Sequence, residues 1–127
     1  MIEALERVKN SFNAYPLDQL AIAGACAAIE DEEYFQEKCE QIISTREKTV
    51  SALKDLGFRV IDSQANFVFV KPPQDFSAKA VFLELRERDI VVRYFDKPRI
   101  NEFLRITIGT DGEMAACIAA LTDICTG

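Results

Sequence analysis

Arg105 sits in the middle of Phe103-Leu104-Arg105-Ile106-Thr107-Ile108, a run in which apolar and polar residues alternate. Alternation of this kind predicts a β-strand, with Leu104, Ile106 and Ile108 on one face and Phe103, Arg105 and Thr107 on the other. A guanidinium fixed on a rigid strand is a planar donor fork that can grip a carboxylate through two parallel hydrogen bonds. Sheets also leave one face to solvent, where an arginine is ordinary surface charge; the position therefore has two readings. Arg93 closes Val91-Val92-Arg93 and is either a second cation for the same site or a solvated strand end. Asn66 opens an apolar strand after Ser63-Gln64-Ala65, and its amide either faces a cleft or closes an Asx-type turn. The acidic run Glu30-Asp31-Glu32-Glu33 suits the positive end of a helix better than acid–base work.

These residues grip; none transforms. No glycine-rich loop that could cradle a phosphate is present. The chain has no histidine, so a Ser–His or Cys–His pair is excluded and most zinc sites with it. Its four cysteines, Cys26, Cys39, Cys117 and Cys125, form no C-x-x-C pair and read as small buried hydrophobes of a reducing compartment. A net charge of −6, with scattered lysines and arginines, argues against nucleic-acid binding. No apolar run reaches the roughly 20 residues of a membrane helix. No catalytic residue, metal ligand or cofactor contact is assigned, and a cytoplasmic location is expected.

The elements that must hold Arg105, Arg93 and Asn66 follow from periodicity. With 127 residues, 49% of them hydrophobic, one domain with a real core is expected. Residues 1–16 read as a lead-in: Ile2, Leu5 and Val8 share a helical face, Asn10 to Asn13 break it, and Tyr15-Pro16 turns. Its abrupt start suggests an excised segment. An alanine-rich helix over 17–29 should be packed closely on several sides. A long helix from Asp31 to Leu56 follows, with Phe35, Cys39, Ile42, Ile43, Val50 and Leu53 as its apolar stripe. Gly57 then Phe58 suits a helix C-cap. Strands are predicted at 58–61, 66–70, 90–94 and 103–108. A helix capped by Ser77 lies between the second and third, with Ala78, Val81, Phe82 and Leu85 inward. Thr110 and Glu113 make a capping box for a last helix carrying Met114, Cys117, Ile118 and Leu121. The sum is an α/β chain of the α+β two-layer kind: a small, mostly antiparallel sheet of three or four strands with helices on one face.

Several ordered blocks carry a resemblance. Val8-Lys9-Asn10-Ser11-Phe12-Asn13-Ala14-Tyr15-Pro16-Leu17-Asp18 resembles the segment joining the large and small domains of bacterial histidinol-phosphate aminotransferases. Ser63-Gln64-Ala65-Asn66-Phe67, Val91-Val92-Arg93 and Leu104-Arg105-Ile106-Thr107-Ile108-Gly109-Thr110 resemble later blocks of that family in the same order. The resemblance implies the C-terminal small domain of a fold-type I, pyridoxal-phosphate-dependent homodimer, with residues 1–16 as interdomain segment and 17–127 as the domain. It implies amino-group transfer between histidinol phosphate and 2-oxoglutarate. Arg105 matches the arginine that grips the substrate carboxylate, Arg93 the one at the substrate's phosphate end, and Asn66 a residue near the active-site mouth. The family's Schiff-base lysine block has no counterpart here. The chain alone is therefore expected to be inactive and to bind no cofactor, which would belong to the large domain of the full-length parent.

Two other readings stay open at this point. One is a stand-alone module whose sheet binds an amino acid; the other is a purely structural partner domain. An S-K-type lysine block encoded just upstream would separate the first reading from these. Aromatic amino acids call for clamps similar to those for histidinol phosphate, so the amino donor is also open.

Overall fold

The structure, a computed structural model, describes residues 1–12 and 17–126. The described residues form helices α1 (Ile2–Phe12), α2 (Gln19–Glu30), α3 (Glu32–Asp55), α4 (Ala78–Glu87) and α5 (Asp111–Thr126). They form strands β1 (Arg59–Ile61), β2 (Phe67–Lys71), β3 (Arg93–Tyr94) and β4 (Leu104–Thr107). The chain divides into two compact units, Met1–Glu37 and Lys38–Gly127. None of the described helices is long and apolar enough to cross a membrane.

In the first unit α1 runs on through Asn10 and Ser11, where the sequence predicts a break. The Ser11 hydroxyl donates to the Val8 carbonyl at 2.9 Å, so the side chain supports the turn instead of competing with it. The turn expected at Tyr15-Pro16 lies outside the described residues. Asp18 caps α2, its carboxylate accepting the Ala21 N–H at 2.8 Å. The expected close packing of α2 is not found: none of its residues is buried, and Leu20 and Ile29 are 86% and 80% exposed. Within the acidic run, Asp31 ends α2 and opens α3. Its N–H donates to the Ala27 carbonyl, and its carboxylate accepts the Tyr34 N–H at 3.3 Å.

In the second unit the four strands form one antiparallel sheet in the order β1-β2-β4-β3. Val68, Val70, Leu104 and Ile106 project from one face into the core, where Leu53 of α3, Val81 and Leu85 of α4, and Met114, Cys117 and Leu121 of α5 meet them. The expected α+β layering is thus present; β1, β3 and β4 are shorter than expected, and β2 is shifted by one residue to take in Lys71. β3 shrinks most: only Arg93 and Tyr94 pair with β4, although Val92 is buried.

Three caps fix where the helices stop and start. Gly57 takes φ +82°, its N–H donates to Lys54 and the Phe58 N–H donates to Leu53, while Phe58 and Leu53 are both buried. That is the full glycine-terminated cap with its hydrophobic contact. α4 ends in the same hydrogen-bond pattern, Asp89 to Arg86 and Ile90 to Leu85, but with Asp89 at φ 59°. At the start of α5 the Glu113 carboxylate accepts the Thr110 N–H at 2.7 Å and the Thr110 hydroxyl accepts the Glu113 N–H at 3.3 Å. A Cβ on Gly109 would lie 2.5 Å from Glu113 Oε2, so glycine leaves room for the capping carboxylate.

The stripe on α3 differs from the predicted one. Thr45, Thr49 and Leu53 are its buried line, whereas Phe35 and Ile43 are exposed and Ile42 and Val50 pack at the core's margin. Thr49 donates to the Thr45 carbonyl at 2.7 Å and Thr45 donates to Asp111 at 2.6 Å, so both hydroxyls are satisfied where they are buried. The cysteines are all free and only Cys117 is buried; Cys39 and Cys125 are half-buried, and Cys26 is exposed.

Candidate functional site

The register of the sheet brings two of the three candidate residues together. Across the strands, Ile61 of β1 faces Phe69 of β2, Phe69 faces Arg105 of β4, and Arg105 faces Arg93 of β3. Residues directly opposite in an antiparallel pair share a face, with Cβ atoms about 4.5–5.5 Å apart. Arg93 and Arg105 are therefore immediate neighbours on the face turned away from the aliphatic core. Two like charges so placed destabilise a sheet unless something compensates them.

Within the chain little does. Ion pairs among the described residues include Arg7–Glu3, Lys48–Asp111, Lys71–Glu102 and Arg88–Asp123, and neither Arg93 nor Arg105 takes part in one. Arg105 is half-buried, and its fully buried Nε finds no acceptor among the described residues. Arginine is almost never buried unpaired, because a guanidinium brings five N–H donors that water would otherwise satisfy. Each guanidinium instead lies over a ring: Arg105 Cζ is 5.3 Å from the centroid of Phe67, and Arg93 Cζ is 5.1 Å from that of Phe95. Phe95 meets Phe69 edge-on at 6.4 Å, and Phe69 stacks on Phe103 at 4.7 Å with 9° between the rings. The result is an aromatic floor carrying two unpaired cations, an arrangement suited to anionic groups and incapable by itself of bond chemistry.

Asn66 is not brought into this row. It precedes β2, its carbonyl accepts the Ile108 N–H at 2.8 Å, and its exposed side chain bonds none of the described residues. The turn before it is made by Ser63, not by an Asx-type bond: the Ser63 hydroxyl donates to the Phe67 carbonyl at 2.6 Å and accepts the Ala65 N–H at 3.1 Å. Arg46 of α3 ties down the same loop through the Ala65 carbonyl at 3.0 Å. Sequence reasoning missed Phe67 and Phe95 as partners of the arginines. The signal present was faint: Phe67 is two strand positions from Phe69, and Phe95 two from Arg93.

The described residues contain no cluster of acidic or thiol groups able to hold a metal. Nor do the lysines suit an aldehyde cofactor, which needs an unpaired amine beside a phosphate cradle. Lys71 is held by Glu102 at 2.9 Å and Lys48 by Asp111 at 3.2 Å, half-buried Lys38 donates to Gln41 at 3.2 Å, and Lys9, Lys54, Lys79 and Lys97 lie exposed. No reaction step is assigned to them.

The second unit is thus an open antiparallel sheet backed by helices, with a cationic pair on the face away from the core. Residues 1–121 match the family model "Aminotransferase class I and II", and the chain belongs to that family. It is 58% identical over 124 residues to histidinol-phosphate aminotransferase 1 of Hydrogenovibrio crunogenus, a match covering 98% of this chain and 35% of that protein. It is 55% identical over 123 residues to the histidinol-phosphate aminotransferase of Marinomonas sp., covering 95% and 35%. Among solved structures it superposes on histidinol-phosphate aminotransferase from Sinorhizobium meliloti, crystallised with pyridoxal-5′-phosphate. The TM-score is 0.82 and the identity 26%, over 95% of this chain and 33% of that one. The chain thus spans about a third of the length of the curated relatives it matches.

Proposed function

We propose that this chain is the C-terminal, substrate-closing small domain of a pyridoxal-phosphate-dependent histidinol-phosphate transaminase. The parent moves an amino group between histidinol phosphate and 2-oxoglutarate, giving imidazole acetol phosphate and glutamate. Arg105 grips the carboxylate of glutamate and 2-oxoglutarate. Arg93 meets the phosphate of histidinol phosphate, and Asn66 lies at the mouth of the site. The parent is a cytoplasmic homodimer whose large domain supplies the cofactor, its Schiff-base lysine and the groups around it; the cofactor provides the electron sink for the amino transfer. What this chain contributes is binding and orientation, and on its own it is inactive. Residues 1–16 connect the two domains.

One observation carries this reading. Exposed Arg93 and half-buried Arg105 face each other on one sheet face with no acidic partner among the described residues, which leaves their charge open to an external anion. Both substrates are anions, and a pair of adjacent cations is what a site alternating between a phosphate and a dicarboxylate requires.

The test is Arg105→Lys in the full-length enzyme. Lysine keeps the charge and loses the planar fork. KM for glutamate and 2-oxoglutarate should rise, and kcat/KM should fall by about 2–4 kcal/mol, the scale of a lost charge-assisted contact. Arg93→Ala should instead impair histidinol phosphate more than 2-oxoglutarate. Unaltered kinetics with glutamate would make Arg105 surface charge.

A further inference from the structure

Two guanidiniums that face each other across a strand pair repel, and each is a long side chain with many rotamers. A grip of defined geometry needs something to hold each one. For Arg93 the described residues offer no carboxylate and no carbonyl, only the face of Phe95 at 5.1 Å. Phe95 is itself fixed: it is half-buried and meets Phe69 edge-on, and Phe69 is stacked on Phe103. Arg105 lies in parallel fashion over Phe67 at 5.3 Å, on the other side of the Arg105–Phe69 row. The two cations thus rest on two different rings.

We infer that Phe95 is the positioning residue for Arg93, and Phe67 for Arg105, so that ring identity at each position tunes one anion contact separately from the other. The inference rests on the reading of both arginines as substrate grips. A ring face attracts a guanidinium without consuming any of its N–H donors, whereas a carboxylate would neutralise it and occupy those donors. An aromatic support therefore orients the cation without an acidic partner that would compete with the substrate. It also spreads the two guanidiniums onto separate platforms, which limits the mutual repulsion that their register imposes.

The experiment uses the full-length holoenzyme with histidinol phosphate and 2-oxoglutarate as the two substrates. Phe95→Leu should raise KM for histidinol phosphate relative to KM for 2-oxoglutarate by about two- to five-fold, the range expected of an exposed cation–π contact. Phe95→Tyr should preserve the ratio because the ring face is retained. Phe67→Leu should move the ratio the opposite way. In an Arg93→Ala background Phe95→Leu should add no further change, because the side chain it positions is gone. Phe95→Met serves as a second non-aromatic variant should the leucine variant fail to fold. An unchanged ratio in the folded non-aromatic variants overturns the inference, as does an equal effect with Arg93 present and absent, which would make Phe95 mere packing. If Arg93→Ala itself leaves the ratio untouched, the assignment of Arg93 to the phosphate falls, and the role of Phe95 falls with it.

Discussion

Period-two alternation alone puts Arg105 on the face away from the core, because its flanks Leu104 and Ile106 are buried and the strand is regular. Its pairing with Arg93 was not legible. That depends on which residues of β3 and β4 meet, a register set by the loop between them and by the long-range fit of the sheet. The rings beneath the arginines were hidden for the same reason, since Phe67 and Phe95 are 28 positions apart in a chain with many phenylalanines. The four cysteines share a helical setting but not a degree of burial. All four fall in helices, but burial depends on what a helix packs against. The difference is measurable. Burial pushes the Cys117 thiol up to about 11 and raises Cys125 less strongly. Only the thiolate is nucleophilic. In a native sample of this chain at neutral pH, exposed Cys26 should react first with a thiol reagent. Cys117 should react last, at a rate close to that of unfolding. Mass-spectrometric mapping of a time course decides it, and early labelling of Cys117 would contradict its place in the core.

Helices and strands were legible where a local chemical signal marked them. Ser77, Gly57 and the Thr110–Glu113 pair each act within a few residues, and each caps where expected. The end of α4 carried no glycine, so its αL position at Asp89 gave no sign, although Asp tolerates that conformation better than most residues. The buried line on α3 failed for a different reason: threonines count as polar until a partner such as Asp111 is known. These same carboxylates make the second unit pH-sensitive. Hydrogen bonds from Thr45 and Lys48, with the charge of Lys48, hold Asp111 below the ordinary carboxylate range, and the Thr110 N–H and hydroxyl do the same for Glu113. A depressed folded-state value means stabilisation that is complete above the unfolded value and lost as pH falls through the folded one. Stability should therefore decline as pH drops below about 4. Glu113→Gln should flatten that decline while lowering stability at pH 7. Urea midpoints measured from pH 7 to pH 3 would show this, and parallel acid limbs for both proteins would rule it out.

At the scale of the whole molecule, an α+β layering was legible because three amphipathic helices and four short strands can bury their apolar sides in only a few ways. What the chain does was legible chiefly through the order of its sequence blocks, since grip without chemistry is compatible with many functions. The sharpest whole-molecule consequence concerns the cofactor. An internal aldimine requires an amine that is deprotonated in place and a cradle for the cofactor phosphate, and both must converge on one point. Here Lys48 and Lys71 are engaged by Asp111 and Glu102, and Lys38 donates to Gln41 at 3.2 Å. Lys9, Lys54, Lys79 and Lys97 stand in solvent with nothing to retain a bound aldehyde. Pyridoxal phosphate added to this chain should therefore form only weak, scattered adducts. Borohydride reduction followed by peptide mass spectrometry should find sub-stoichiometric label spread over several lysines, at a level matched by free lysine at the same concentration. Label approaching one equivalent on a single lysine would place a cofactor site within these 127 residues. The division of labour proposed for the parent, with chemistry in one domain and grip in the other, would then have to be redrawn.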